Sequence, residues 1–127
     1  MSRPQSTLVS SKMLRCGATC ERQYLTGVDI FNTHTGIPLT LVYPQGLDVA
    51  AMEAGMIREA AKQPVMAGRI RTNEHGLPYI DGNDAGIAFR VHRAQGRLPP
   101  FGPHLHMAPL LKHFAKRPYG FWPFVDL

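Results

Sequence analysis

Two cysteines, one tryptophan and a charged fraction of 18% are the scarcities of this 127-residue chain. Cys16 and Cys20 alone cannot make a disulfide framework or a four-ligand zinc site. Four residues apart, they would be neighbours on a helical turn, where an incidental disulfide could close. As free thiols they fit a reducing cytoplasm. No apolar run is long enough to span a membrane, and Met1-Ser2-Arg3-Pro4 does not lead into the apolar stretch of a signal peptide. The expectation is a soluble, cytoplasmic protein. The net charge of +5 comes from scattered residues, with no run of five or more lysines and arginines. Neither a nucleic-acid nor a membrane partner is therefore expected.

Several catalytic signatures are also missing. There is no G-x-S-x-G elbow and no P-loop, and Gly82-Asn83-Asp84-Ala85-Gly86 does not fit G-x-G-x-x-G. Six histidines invite a metal proposal, but their spacing does not support one. His104 and His106 would point to different sides of a helix, and His106 and His113 are seven apart. Zinc-gripping helical pairs are spaced i, i+4. No metal site is expected.

What the chain does have is apolar content, 44%, together with 12 glycines and 11 prolines. That composition suits one mixed α/β domain, or part of one, with many turns and few long elements. Residues 1–20 read as an N-terminal arm, its serine-rich start either loose or a strand added late. The domain proper is expected over 21–127. Ile37 to Tyr43 is rich in β-formers, and its alternation places Leu39, Leu41 and Tyr43 on one face of a strand.

Asp48 to Gln63 has helical periodicity. Asp48 is the expected N-cap, and Pro64 limits continuation. Val49, Met52, Met56, Ile57 and Ala60 form one apolar stripe, with Arg58 and Lys62 opposite. Glu53 falls inside the stripe and is expected at its boundary, paired with an arginine.

Pro64 to Phe89 follows as three short strand-like runs, Val65–Ile70, Leu77–Ile80 and Gly86–Val91, separated by Asn73-Glu74-His75-Gly76 and Asp81-Gly82-Asn83-Asp84. They suggest a meander or a pair of hairpins. A short helix is expected over roughly 104–116, limited by Pro109. The aromatic run at 119–127 is expected to pack back on the sheet or to meet another chain.

As a constellation, these residues resemble the BAHD acyltransferases, which move acyl groups from coenzyme A thioesters to alcohols or amines. In that family an amphipathic helix leads into a segment like Y-P-L-A-G-R-L, followed by a strand ending I-D-C-N-D-x-G-V-x-F. Ala67-Gly68-Arg69, Ile80-Asp81, Asn83-Asp84 and Gly86-Ile87-Ala88-Phe89 match in order and spacing, with Gly82 in place of the usual cysteine. Upstream, Leu25-Thr26-Gly27-Val28-Asp29 resembles L-S-x-x-D.

The resemblance covers roughly 25–91. It implies part of a two-layer fold like that of chloramphenicol acetyltransferase, a small sheet with a packed helix. It implies no bound cofactor, acyl-CoA as co-substrate, and His34, Thr35 and Tyr43 lining the pocket of a small-molecule acceptor. The matching residues themselves imply turns and backbone satisfaction more than chemistry.

The family's catalytic H-x-x-x-D is missing, since none of His34, His75, His92, His104, His106 and His113 has an aspartate four residues on. Its later D-F-G-W-G-like motif is missing too. The expectation is an N-terminal portion completed by a second polypeptide or segment carrying the catalytic histidine. The alternative is a non-catalytic binding or interaction module of the same fold.

Overall fold

A computed structural model describes residues 6–33 and 41–96 of the chain. Their elements in order are β1 (Ser6–Leu14), β2 (Cys20–Tyr24), α1 (Gly27–Asn32), α2 (Val49–Lys62), a 3₁₀ turn (Pro64–Ala67), β3 (Arg69–Thr72), β4 (Pro78–Gly82) and β5 (Ile87–Ala94). The class is mixed α/β. Two small antiparallel sheets form, a three-stranded one in the order β2-β4-β3 and a ribbon of β1 with β5. The expected helix 104–116 and the tail 119–127 lie outside the described residues.

Helix α2 starts where its chemistry says it should. The Asp48 carboxylate accepts from the Ala51 amide at 3.0 Å, satisfying one of the donors that a first turn leaves free. Pro64 then ends the helix and opens the 3₁₀ turn. The apolar stripe is turned inward to different depths. Ala60 is buried, Met52, Met56 and Ile57 are half-buried, and Val49 at the first turn is exposed. Glu53 pairs with a lysine, not an arginine: Lys12 of β1 lies 2.8 Å from its carboxylate. That contact ties α2 to the ribbon from a residue 41 positions away, and a half-exposed pair of this kind stabilises by less than about 1 kcal/mol.

The β3–β4 hairpin closes on Asn73. Its side-chain oxygen accepts from the amides of His75 and Leu77, at 3.0 and 2.8 Å. Gly76, at φ +78°, takes the left-handed position that the turn requires. The pairing runs Arg69↔Asp81, Ile70↔Ile80, Arg71↔Tyr79 and Thr72↔Pro78. β2 lies on the other side of β4, with a register shift between Cys20 and Gln23.

Two expectations are corrected here. The run 65–91 is neither a meander nor a pair of hairpins: it holds one hairpin, β3 with β4. Val65 to Ala67 belong to the 3₁₀ turn, and β5 leaves the sheet to pair with β1, Leu14 opposite Ile87 and Thr7 opposite Arg93. Left-handed backbone at Asp84 (φ +52°) and Gly86 (φ +104°) turns the chain away from β4. The strand expected over 37–43 also fails where it can be seen. Leu41 to Tyr43 form no strand, and the chain turns at Tyr43–Gly46, the Gly46 amide donating to the Tyr43 carbonyl at 3.0 Å. An extended segment without a neighbouring strand has no ladder to hold it, and Pro44 lacks a donor. Residues 37–40 lie outside the described residues.

Among the described residues the buried side chains are few: Leu14, Ala60, Ala67 and Tyr79, with Arg69 among them. Two glycines with ordinary backbone angles test how tightly the junction around them is built. A Cβ on Gly68 would fall on the Asp81 carbonyl, whereas one on Gly55 meets only Arg58 at 3.9 Å. Gly68→Ala is expected to cost about 1–3 kcal/mol through backbone displacement. Gly55→Ala is expected to stabilise by up to about 1 kcal/mol by removing a helical glycine. Urea midpoints of the two variants check the opposite signs.

Candidate functional site

The densest set of polar contacts lies where the β1–β2 loop meets the turn after β4. Gly17, at φ +73°, folds the loop so that two successive amides face one carboxylate. The Cys16 amide donates to Asp84 Oδ1 at 2.8 Å, and the Gly17 amide donates to Oδ2 at 2.9 Å. The Cys16 thiol donates to the same Oδ1 at 3.3 Å. Asn83, beside it, closes the turn by accepting from the Ala85 amide at 3.1 Å.

The amide of Cys16 is the first cause, with its thiol, the Gly17 amide and the charge of Arg15 adding to it. Together they hold the Asp84 carboxyl below its ordinary value of 3.8, against partial burial.

Across the same junction the Arg69 guanidinium is buried. Its Nη1 donates to the carbonyls of Gly68 and Gly86, at 2.8 and 2.9 Å. The Gly86 amide donates to the Ala67 carbonyl at 2.9 Å, so the 3₁₀ turn, β3 and the start of β5 are joined. A Cβ on Gly82 would fall on the Cys20 sulfur and close to the backbone of Cys20. The residue that stands where the resembled motif carries cysteine therefore has no room for a side chain while Cys20 is opposite. The two cysteines are free and half-buried, and they are not on a helix.

On the β2-β4-β3 sheet, Arg22 lies over the Tyr79 ring at 4.6 Å from its centroid, and Tyr24 packs against Tyr79 at 5.7 Å with the rings tilted by 50°. Arg71 pairs with Asp81 at 3.1 Å. None of these partnerships is visible as a sequence motif. The only hint is an aromatic residue at a strand position on each of β2 and β4.

Of the residues expected to line an acceptor pocket, Tyr43 is half-exposed at the turn before Gly46. His34 and Thr35 lie outside the described residues. The helix that leads to them, α1, is closed by a reciprocal cap. Thr26 accepts from the Asp29 amide, and the Asp29 carboxylate accepts from the Thr26 amide at 2.9 Å.

Among the described residues, the carboxylates whose affinity for protons departs from the ordinary are Asp29, Glu59 and Asp84, all shifted downward. Their first causes are the Thr26 hydroxyl, the Lys62 ammonium and the Cys16 amide respectively. A general acid or base works best with a pKa near the operating pH. These three are held ionised and spent on a cap, a surface pair and a loop tie. Among the described residues no cluster of three metal-type side chains forms, and no helix is long and apolar enough to cross a membrane.

Two expectations follow. Because the folded state lowers the Asp84 pKa, the tie's contribution is full above the unfolded value and is lost as pH falls through the lower folded one. Asp84→Asn keeps one acceptor but aims an amide donor at a backbone amide, and is expected to cost about 1–3 kcal/mol at neutral pH. Its stability should fall less steeply than the parent's below 3.8, read by chemical denaturation across pH. Gly82→Cys should also destabilise, and adding Cys20→Gly should recover part of the loss in thermal melts.

No family model matches the chain, and no curated protein matches it, so a functional reading rests on the geometry of its own residues.

Proposed function

We propose that this chain is part of a coenzyme A-dependent acyltransferase with a two-layer fold like that of chloramphenicol acetyltransferase. Another polypeptide or segment would supply the catalytic histidine. The observation that carries the reading is the ordered set of motif residues from Leu25 to Phe89, which occupy consecutive joints of the described unit. Thr26 and Asp29 cap α1, and Ala67-Gly68-Arg69 ends the turn after α2. Asp81 braces β3, and Asp84 ties the turn to the first loop. They support a scaffold role, which leaves proton transfer to a residue elsewhere.

The surface supports the same reading. Val28 and Phe31 of α1 are 72% and 84% exposed, and Leu8, Val9, Met13 and Tyr24 are about half-exposed. Exposed apolar side chains of this size among the described residues fit a unit that packs against further polypeptide.

In the completed enzyme the partner's histidine would take the proton of the acceptor hydroxyl or amine. The acceptor oxygen or nitrogen would attack the thioester carbonyl, and the coenzyme A thiolate would leave and be protonated. His34, Thr35 and Tyr43 would contact the acceptor. Acyl-CoA is then a co-substrate, and no bound cofactor is needed.

The test is a coupled thiol assay. The 127-residue chain is combined with a polypeptide from the same source that carries H-x-x-x-D, then given acetyl-CoA and a panel of alcohols and amines. Acceptor-dependent thiol release should require both polypeptides and disappear when that histidine is replaced by alanine. Release by the 127-residue chain alone, or none from the pair, would overturn the proposal.

A further inference from the structure

Cys16, in the loop after β1, and Cys20, the first residue of β2, both turn their sulfurs to the end of β4 and the turn after it. The Cys16 sulfur lies 3.3 Å from Asp84 Oδ1 and 3.5 Å from the Ala18 carbonyl. The bend at Gly17, φ +73°, therefore turns it back along the loop, toward a carbonyl two residues short of Cys20. The Cys20 sulfur lies over Gly82, in the space that a side chain there would fill. Both thiols are free and half-buried, and the acyl transfer proposed above uses neither.

The two redox states of these sulfurs offer Asp84 different things. As a thiol, Cys16 donates to an ionised carboxylate, and the charge of the acceptor strengthens what is otherwise a weak donor. As half of a disulfide it has no proton to donate, and Oδ1 loses one of the two donors that Cys16 supplies. The joint between the two sheets therefore favours the reduced pair.

We propose that Cys16 and Cys20 form a reversible dithiol–disulfide pair, and that Asp84 biases the pair toward its reduced form. The oxidant is a low-molecular-weight disulfide. The thiolate of one cysteine attacks a sulfur of that reagent, releases one thiol and leaves a mixed disulfide on the chain. The other cysteine gives up its proton and displaces the second thiol, which closes the bridge. Two electrons and two protons leave the pair, and the reagent becomes two thiols. A bridge needs Cα atoms within about 7 Å of each other, a span that a loop bent at a left-handed glycine can close. The bias is reciprocal: oxidation weakens the hold of the loop on Asp84, and loss of the Asp84 carboxylate eases oxidation. The pair is independent of the acyltransferase proposal.

The 127-residue chain is equilibrated in glutathione buffers of graded reduced-to-oxidised ratio, quenched with acid, alkylated and read by mass spectrometry. Arg15 and Arg22 flank the pair, so trypsin releases residues 16–22 as one peptide carrying both sulfurs. In the more oxidising buffers that peptide should come from a monomer, be lighter by about 2 Da and resist alkylation. Asp84→Asn should move the midpoint toward more reducing buffer, by about threefold or more in the equilibrium constant. Asp81→Asn, which touches neither thiol, should leave it unmoved. The bond itself is read in the infrared, where the S–H stretch of Cys16 in Cys20→Ser should lie below that of Cys20 in Cys16→Ser. The parent titration and the S–H frequencies need no Asp84 variant, so both still decide if that variant fails to fold. Only mixed disulfides or linked dimers at every ratio, a midpoint that Asp84→Asn leaves in place or moves the other way, or a Cys16 stretch no lower than that of Cys20 would each overturn the proposal.

Discussion

One carboxylate holds the two sheets of this unit together. Asp84 sits between the end of β4 and the start of β5, and it accepts from two consecutive amides of the loop that joins β1 to β2. Each sheet contributes one strand to that loop and one to that turn. A single side chain therefore fixes where the ribbon leaves the three-stranded sheet. Its left-handed backbone is tolerated because aspartate is among the residues that accept φ > 0. Charge-assisted bonds to backbone amides are shorter and stronger than neutral ones, which suits a joint with little apolar burial around it. Arg69 reinforces the joint by bridging two glycine carbonyls across it.

The interior around that joint explains why polar ties matter so much. Among the described residues no large side chain is fully buried, and the four buried apolar residues include two alanines. Hydrophobic stabilisation scales with apolar area removed from water. A core built from alanines, one leucine and one tyrosine has limited area to contribute. Close approaches take over part of the task. Gly68 lies against the Asp81 backbone and Gly82 against Cys20, so the chains meet at distances that any side chain would prevent.

Local signals in the sequence were legible, and long-range ones were not. Asp48 and Pro64 delimit α2 within a residue because capping and the missing proline donor act on neighbours. Asn73 and Gly76 mark the β3–β4 hairpin for the same reason. The partner of β5 could not be read, because alternation over Gly86–Val91 identifies a strand but not the strand beside it. The serine-rich start of the chain left a loose arm and a late-added strand both open, because the pairing that makes it β1 comes from a segment about 80 residues away. Glu53 was recognisable as out of place in an apolar stripe, yet its lysine partner lies on another element. Alternation suggested a strand through Tyr43, and Leu41 to Tyr43 form none because no ladder reaches them. Tyr43, expected on that strand, sits half-exposed beside a turn.

The motif residues 67–89 can be assigned duties without invoking any reaction. Asp81 neutralises Arg71, Asn83 shapes a turn, and Asp84 joins two loops. A general acid or base works best with a pKa near the working pH, and Asp84 accepts at both oxygens and has its affinity for protons lowered, not raised. The stretch therefore acts by shape: it sets the angle at which β5 departs and the face that the ribbon presents. Departure of β5 from β4 is also what lets it pair with β1 as a ribbon on which Arg90 and His92 are exposed.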